Sequence, residues 1–400
     1  MRNDSRLNWN LDWLKSNSVR AVWNVLRAEG AKVFFVGGCV RDSIKGRIVN
    51  DIDIATDALP SEVIKLAKTA GLRVLETGLS HGSITLMNKG DFFEVTTFRS
   101  DLKTDGRHSK VEFSNNIEDD AKRRDFTMNA IYMTIDAEVI DPILGWEDLM
   151  NGHVRFIGDP GQRIQEDYLR ILRYFRFLTI YETDKNHINV AALAACSRFK
   201  HGLKKLSKER IWQELQKILS YNDCTFALQK MESSGVLEEI LPFSKTKTLE
   251  RFLVFENKIS SGFKEIDRLA ALNISHVNSW VKKLSLTKEQ KRWVRQILVI
   301  AKDVSSLRVK GYKYKENLAL SALGIIMADS TSSLSQNDIA EIKFGASQKF
   351  PLDTSDFMKF FSPSKELGDQ VKRVTKIWFD SELTMSREEL LAQLNKYPSL

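Results

Sequence analysis

The stretch FFVGGCVRDSIKGRIVNDIDIAT, residues 34–56, decides the fold of the first part of the chain. A β-prone run leads into Gly37-Gly38, a short helix is expected next, and a second strand over 50–55 alternates aspartate with isoleucine. Side chains two positions apart on a strand share one face, so Asp51 and Asp53 can bind a hard divalent ion together. A Gly-Gly pair alone is usually a turn, and a lone DxD is usually solvated. Their succession around a helix favours a catalytic site.

The same stretch indicates phosphate binding beside the aspartates. Gly38 allows a phosphate to approach the backbone closely, and amides at a helix start bind anions. Arg41 can add a fixed cation. Two metal ions about 3.5–4 Å apart can activate a 3′-hydroxyl and neutralise a leaving pyrophosphate. We therefore predict two Mg²⁺ ions held by Asp51 and Asp53.

The surrounding pattern predicts an α/β domain followed by an all-helical remainder. Apolar periodicity predicts head helices at 17–29 and 60–70 and strands at 32–36, 50–55, 72–76, 82–88 and 91–98. After Phe156 strand signals become rare, and helices are expected at 163–181, 188–196, 207–220, 223–234, 264–272, 287–302, 316–328, 366–379 and 386–395. We divide the chain at 1–150, 151–235 and 236–400.

Composition restricts the class of protein. The 400 residues carry a net charge of +8, which is a weak indication of a polyanionic partner such as nucleic acid. No run approaches the roughly 18–20 apolar residues needed to cross a bilayer. The N-terminal stretch has no apolar signal core, so secretion is not expected. The three cysteines have no CxxC spacing, which disfavours a disulfide scaffold or zinc ribbon and fits the cytoplasm.

Two further groups of residues can complete a site around the aspartates. Glu94 lies between Phe93 and Val95 on a predicted strand, so it can supply a third carboxylate; it could instead pair with Arg41 or Arg99. The segment RRDFTMNA, residues 123–130, offers guanidinium groups for phosphate or ribose and a carboxylate for a ribose 2′-hydroxyl. Taken alone, RRD could equally be an exposed cluster of ion pairs.

The segment EDYLRILRYFRF, residues 166–177, can recognise a base. On a helix, Asp167 and Arg170 stand one turn apart and can present an acceptor beside a donor. This pair suits the amino groups of C and A, whereas U and G would place a carbonyl against Asp167, a mismatch that rejects a base strongly. The alternative is an ordinary helix with surface ion pairs.

Together the motifs GGxxRD…DxD, RRDFTxNA, DPxxGxxDL and EDxxR resemble the bacterial class II tRNA nucleotidyltransferase/poly(A) polymerase family, within the polymerase-β-like superfamily. The resemblance covers roughly residues 20–235. It implies a seahorse-shaped protein with an α/β catalytic head at 1–150, a helical neck at 151–235 that selects the base, and a helical body and tail at 236–400 that hold the acceptor and TΨC arms of tRNA.

The resemblance also implies roles for individual residues. The expected magnesium ligands are Asp51 and Asp53, with Glu94 as a third catalytic carboxylate. The expected nucleotide contacts are Gly38 and Arg41 at the phosphates, Arg124 and Asp125 at the ribose, Asp167 and Arg170 at the base, and Arg173 and Arg176 beside them. The segment DPILGWEDL resembles the hinge between head and neck through Asp141, Gly145 and Asp148, with Leu144 where many members have glycine.

The implied reaction is template-independent addition of C, C and A to the 3′ end of tRNA from CTP and ATP. Residues 98–113 resemble the flexible loop of enzymes that add all three nucleotides, and enzymes that add only CC tend to lack it. An A-adding or poly(A)-polymerizing relative is a close alternative, and a non-catalytic tRNA-binding protein is disfavoured by the intact aspartate pair. The resemblance implies neither an obligate protein partner nor a membrane.

Overall fold

The structure, a computed structural model, describes residues 9–105, 108–183, 188–259, 262–332 and 335–395. The chain divides into two compact units, residues 1–239 and 240–400. The predicted boundaries at 150 and 235 remain a proposal. Among the described helices, none has the length and apolar character needed to cross a membrane.

The first unit is built around one mixed β-sheet. Its strands are β1 Val33–Val36, β2 Ile52–Thr56, β3 Arg73–Gly78, β4 Ser83–Asn88, β5 Asp91–Thr97, β8 Tyr132–Met133 and β9 Val139–Ile140, in the order β3-β4-β5-β2-β1-β8-β9. The pairing of β2 with β5 is parallel, and the other pairings are antiparallel. The parallel register sets Asp53 beside Glu94. This pairing fixes the position of the predicted third carboxylate.

Helices surround the sheet and fill the rest of this unit. They are α1 Asn17–Arg27, α2 Gly38–Ile44, α3 Pro60–Thr69, α4 Ile117–Lys122, α5 Gly145–Asn151, α6 Pro160–Glu166, α7 Leu169–Tyr181, α8 Val190–Phe199, α9 Lys208–Leu219 and α10 Thr225–Ser233, followed by α11 Val236–Ile240 at the end of the unit. Large apolar side chains such as Phe35 and Phe93 are fully buried in the sheet region. Within the described residues no strand follows Ile140, so the predicted change to helical structure is confirmed.

The segment predicted as a flexible loop, residues 98–113, contains regular structure. It forms two antiparallel strands, β6 Arg99–Asp105 and β7 His108–Phe113. The aromatic and β-branched residues Phe98, Val111 and Phe113 at the ends of the segment favour strand structure. The prediction of a loop is therefore wrong for the backbone of these strands, and residues 106–107 lie outside the described part of the chain.

The second unit is helical throughout its described residues. Its helices are α12 Thr246–Lys258, α13 Glu265–Leu272, α14 Val277–Val281, α15 Lys288–Lys302, α16 Leu307–Tyr314, α17 Glu316–Asp329, α18 Gln336–Ser347, α19 Thr354–Met358, α20 Lys365–Asp380 and α21 Arg387–Asn395. A cluster around Trp378, Phe357 and Val374 forms its C-terminal core. A second cluster around Leu320 and Ile342 packs the middle of the unit.

The predicted single helix at 163–181 is wrong at one point. The chain leaves helical geometry at Asp167, whose φ is −151° and ψ 109°, so α6 ends at Glu166 and α7 begins at Leu169. The side chain of Asp167 accepts a hydrogen bond of 3.1 Å from the amide of Leu169. An aspartate that caps a new helix competes with continuation of the old one, which explains the break.

Candidate active site

A cavity of about 550 Å³ in the first unit brings together most of the residues predicted to act. It opens beside the carboxyl-terminal end of β1 and the start of β2. The predicted residues on its lining are Gly38, Arg41, Asp51, Asp53, Glu94, Arg124, Asp125, Arg173 and Arg176. The lining combines carboxylates with guanidinium groups, so the cavity can hold an anionic ligand together with a cation.

The three carboxylates stand close enough to affect one another. Burial and the neighbouring charges of Glu94 and Asp51 together raise the pKa of Asp53 to about 6, against the opposing charge of Arg124. Such crowding is unfavourable for a bare carboxylate, and a divalent cation would relieve it. These oxygen donors fit Mg²⁺. Among the described residues, no group of three or more His, Cys, Asp or Glu has the geometry of a preformed metal site.

The glycines before α2 give the ligand access to Asp53. Gly37 has a φ of 75°, a left-handed conformation that side-chain-bearing residues rarely adopt. A Cβ atom at Gly37 would lie 3.4 Å from Oδ2 of Asp53 and 3.7 Å from a guanidinium nitrogen of Arg124. A side chain here would therefore occupy the space between the carboxylate and the nearest cation.

Arg41 lines the cavity but is already bound by neighbouring groups. Its Nε donates to the hydroxyl of Tyr181 at 2.6 Å, and its Nη1 donates to the side-chain oxygen of Asn129. Its guanidinium also lies 4.7 Å from the ring centre of Tyr181 and 4.9 Å from that of Phe177. These contacts hold the cation in place for a phosphate, as pre-organised binding requires.

The buried Asp125 pairs with the half-buried Arg173 at the predicted ribose position. The carboxylate of Asp125 accepts from Nε of Arg173 at 2.6 Å and from the side-chain amide of Asn129 at 2.7 Å. The charge of Arg173 and the hydrogen bond from Asn129 lower the pKa of Asp125 against the effect of burial. Asp125 is therefore an anion at neutral pH and an acceptor for a hydroxyl.

Arg176, on the next turn of α7, completes a ring of cations. It forms an ion pair of 3.2 Å with Glu214 of α9, and its guanidinium lies 5.2 Å from the ring centre of Phe177. Burial lowers its pKa, although Glu214 opposes this effect. Arg41, Arg173 and Arg176 all lie within 6 Å of the same ring.

The predicted base-reading pair is held by other partners. Asp167 accepts from Nη2 of Arg210 at 2.7 Å, while Nη1 of Arg170 donates to Glu166. Neither residue is on the described lining of the 550 Å³ cavity. Both lie just behind it: Arg170 lowers the pKa of Asp125, and Asp167 raises that of Arg173. Because the helix breaks at Asp167, the two residues do not lie on one continuous helix. Asp167 precedes α7, and Arg170 lies in the first turn of α7.

The predicted hinge is a tightly packed turn. The carboxylate of Asp141 accepts from the amide of Gly145 at 2.8 Å, and Asp148 accepts from the hydroxyl of Thr127 at 2.5 Å. A Cβ at Gly145 would lie 2.1 Å from the carbonyl oxygen of Thr127, so only glycine fits. Leu144 has a left-handed φ of 60° and is 66% exposed. Leucine thus occupies a conformation that suits glycine.

Several residues on the cavity lining were not identified from the sequence. Asn129 lies within the quoted RRDFTMNA motif and could have been included. Lys217 comes from α9 and Phe92 from β5, and no local pattern marks either of them. Their positions depend on long-range packing of α7 against α9 and of strands in the sheet.

The fold and this site define a template-independent nucleotidyltransferase head joined to a helical region. Residues 33–155 match the family described as "Poly A polymerase head domain", and residues 187–247 match "Probable RNA and SrmB-binding site of polymerase A". The CCA tRNA nucleotidyltransferase 1, mitochondrial, of Danio rerio is 33% identical over 90% of this chain and 86% of the relative. The CCA-adding enzyme of Streptococcus sanguinis is 30% identical over 93% and 95%. The chain belongs to the CCA tRNA nucleotidyltransferase family.

Solved structures share the fold along nearly the whole chain. The Bacillus stearothermophilus CCA-adding enzyme in complex with CTP has a TM-score of 0.72 at 23% identity and covers 95% of this chain and 96% of its own. The Thermotoga maritima CCA-adding enzyme complexed with tRNA has a TM-score of 0.68 at 19% identity, covering 98% and 99%. The α/β head followed by helices is therefore confirmed as the fold class.

Proposed function

We propose that this protein adds C, C and A to the 3′ end of tRNA, using CTP and ATP and releasing pyrophosphate. The observation that carries the proposal is the 550 Å³ cavity, whose lining combines Asp53 and Glu94 with a set of guanidinium groups. Family membership supports the same activity, since relatives are named CCA tRNA nucleotidyltransferase or CCA-adding enzyme.

Different residues of this chain have different roles in the nucleotide transfer. Asp51 and Asp53, with Glu94 beside them, would hold two Mg²⁺ ions, which supply activation of the 3′-hydroxyl and neutralisation of the developing charge. Arg41, Arg173 and the other cavity cations bind the triphosphate and stabilise the departing pyrophosphate. Asp125 accepts a hydrogen bond from the ribose. The buried, paired state of these groups supports this, because positioned charges need little reorganisation.

We assign base selection to Asp167 and Arg170, as neighbours of the cavity rather than as part of its present lining. To accept from the amino group of C or A, Asp167 has to exchange its ion pair with Arg210 for the base. Arg170 likewise has to leave Glu166. Asp141, Gly145 and Asp148 form the proposed hinge that allows such a change between head and neck.

The deciding experiment uses tRNA that ends at the discriminator base, purified protein, magnesium, and CTP and ATP singly or together. We expect full CCA only when both nucleotides are present. Incorporation from ATP alone, and only onto tRNA that already ends in CC, would identify an A-adding enzyme. Untemplated long A tails would identify a poly(A) polymerase.

Variants of the carboxylates test the assigned roles. Asp53→Ala and Glu94→Ala should abolish or strongly reduce transfer while leaving tRNA binding intact, measured by fluorescence anisotropy. Asp91→Ala is a matched control, because Asp91 is an exposed acid on the same strand as Glu94. Near-normal turnover of Asp53→Ala would remove its metal role, and loss of activity in the Asp91 variant would show a general effect of charge.

We propose the cytoplasm as the compartment, because Cys39, Cys196 and Cys224 are buried and no two of them form a disulfide. Several relatives are named mitochondrial. Cell fractionation with an antibody against the protein distinguishes the two compartments.

A further inference from the structure

Tyr181 is the last residue of α7, and its hydroxyl lies between a cation and an acid of α2. The phenolic oxygen is 2.6 Å from Nε of Arg41 and 2.6 Å from Oδ1 of Asp42. A guanidinium group can only donate hydrogen bonds, so the phenolic oxygen accepts from Arg41 and its single proton is donated to Asp42. Burial raises the pKa of Tyr181 to about 12, so the phenol keeps this proton at neutral pH.

Asp42 follows Arg41 directly in the chain and could neutralise its charge. The second carboxylate oxygen, Oδ2, lies 3.5 Å from Nη2 of Arg41, which is longer than the about 2.7–2.9 Å of a strong charge-assisted hydrogen bond. The side chain of Arg41 is only 11% exposed, so water screens the attraction between the two charges weakly. The hydrogen bond from Tyr181 holds Oδ1 and so keeps the carboxylate at this distance. Without that hydrogen bond, we expect the carboxylate to close onto Nη2 as a direct ion pair.

Two of the three guanidinium nitrogens of Arg41 are already held by neutral protein groups. Nε donates to the hydroxyl of Tyr181, and Nη1 donates to the side-chain oxygen of Asn129. Among the described residues, Nη2 has only the 3.5 Å contact with Asp42, and it lies 3.8 Å from the position that a Cβ atom would take at Gly38. Gly38 and Arg41 both line the 550 Å³ cavity. Nη2 is therefore the edge of the guanidinium that a phosphate beside Gly38 can reach.

The position of Tyr181 is fixed by packing that does not involve its hydroxyl. Its side chain is 3% exposed, and the guanidinium groups of Arg41 and Arg47 each lie 4.7 Å from the centre of its ring. Nη2 of Arg47 donates at 2.9 Å to the carbonyl oxygen of Ile180. A Cβ atom at Gly152 would lie 2.3 Å from the carbonyl oxygen of Tyr181, so the backbone at the end of α7 is closely packed. Removal of the hydroxyl alone should therefore leave the ring in place.

We propose that Tyr181 is a positioning residue for the triphosphate: its hydroxyl keeps Asp42 from neutralising Arg41, so that Nη2 of Arg41 is available to a phosphate of the incoming nucleotide. This inference rests on the proposed function and deepens it, because it names a residue that sets the affinity for the phosphates without touching them. The hydroxyl acts on the phosphates and not on the base. CTP and ATP should therefore depend on it equally.

The test removes the hydroxyl and keeps the ring. In Tyr181→Phe, the Kd for CTP and the Kd for ATP, measured by calorimetry with magnesium present, should each rise about 5- to 30-fold, because Asp42 then competes with phosphate for the cation. The inhibition constant of pyrophosphate should rise by a similar factor, while KM for tRNA changes by less than about twofold. Tyr174→Phe is the matched control: Tyr174 is a fully buried tyrosine of the same helix, and its hydroxyl lies 3.5 Å from the carbonyl oxygen of Asn189.

A double-mutant cycle tests whether the hydroxyl acts through Arg41. The variant with both Arg41→Ala and Tyr181→Phe should bind CTP no more weakly than Arg41→Ala alone, because the hydroxyl has no cation left to keep free. Losses that multiply independently would overturn the proposal. So would a loss of affinity confined to CTP or to ATP, which would assign Tyr181 to the choice of base, or an equal rise in KM for tRNA, which would show a general structural defect.

The wild-type measurements separate this inference from the proposed function. If wild type binds CTP but adds no nucleotide to any tRNA, the proposed function fails and calorimetry still decides the role of Tyr181; if it binds neither nucleotide, both fail. If wild type is active but Tyr181→Phe behaves like Tyr174→Phe, this inference alone is wrong. Should Tyr181→Phe not fold, wild type labelled with ¹⁵N-arginine gives the result. The Nε–H signal of Arg41, assigned with Arg41→Lys, should exchange slowly with solvent both without and with CTP, and loss of this protection on addition of CTP would refute the role.

Discussion

Replacing Asp120 by asparagine tests the most strongly coupled group in the head. Its fully buried carboxylate accepts from Arg123, from Arg124 and, at 2.7 Å, from the hydroxyl of Tyr132. Although burial alone would raise the pKa of Asp120, the charges of Arg124 and Arg123 lower it from 3.8 to about 2. This lowering of the pKa corresponds to about 2 kcal/mol of stability at neutral pH. Asp120→Asn removes this charge but keeps the shape of the side chain.

The expected loss is local, so the assay must resolve regions of the chain. Because the chain contains two compact units, a single unfolding curve is not expected to define one free energy. Hydrogen exchange followed by mass spectrometry on peptides that cover β1 and β8 reports opening of the sheet next to Asp120. A loss of about 2 kcal/mol corresponds to roughly 30-fold faster exchange at pH 7. Glu118→Gln, an exposed acid on the same helix paired with Lys122 at 3.7 Å, should change exchange by less than about twofold.

The stability that the ionised Asp120 contributes depends on pH. Because the pKa of Asp120 is lower in the fold than in the unfolded chain, its contribution is complete above about pH 4 and is lost as the pH falls through about 2. The difference between wild type and Asp120→Asn should therefore vanish in acid. Equal exchange in the two proteins at pH 7, or a difference that grows as the pH falls, would refute the assignment of this carboxylate as the group that holds both arginines.

Three further substitutions test single features of the site and hinge. Asp53→Asn should abolish transfer yet raise the melting temperature of the magnesium-free protein at pH 8. Burial and neighbouring acids raise the pKa of Asp53 to about 6, so its ionised form at pH 8 destabilises the fold. Magnesium should raise the melting temperature of wild type only. Gly145→Ala should destabilise the head by at least about 2 kcal/mol, since its Cβ would lie 2.1 Å from a carbonyl oxygen, whereas Gly368→Ala, with open space around it, should be neutral or stabilising in the same denaturation assay. Leu144→Gly should stabilise by up to about 1 kcal/mol by releasing left-handed strain, while Leu144→Ala should not.

The sequence predicted the parts of the site that depend on local periodicity. Alternation of aspartate and isoleucine gave the strand that became Ile52–Thr56, and the apolar neighbours of Glu94 predicted its face. The pairing that sets Asp53 directly beside Glu94 is parallel and non-local. No local pattern encodes which strands become neighbours, so the sequence does not predict how the three carboxylates are arranged.

The helical part of the site was harder to predict for a different reason. Helical periodicity continues through 163–181, and this made Asp167 and Arg170 appear as a pair on one helix. The cap at Asp167 interrupts the helix, although the apolar pattern of the sequence continues past it. Its partner, Arg210, comes from α9 and is 43 residues away. Arg210 and Lys217 belong to α9, so the sequence of α7 does not indicate that they lie near the site.

The ion pairs of Asp120 can be inferred from its spacing to two arginines, but its burial cannot. Asp120, Arg123 and Arg124 have the i, i+3 and i, i+4 spacing of ion pairs on a helix, and they occur where α4 ends. The spacing alone indicates an ordinary surface cluster. In the structure the acid is buried, and Arg124 lines the 550 Å³ cavity. The RRD motif therefore depends on a fourth residue: Asp120 orients the two arginines, and Asp125 binds Arg173 in the same way on the nucleotide side. Acids that do not bind metal set the direction of the cations, so their loss should weaken substrate binding before it changes the chemistry.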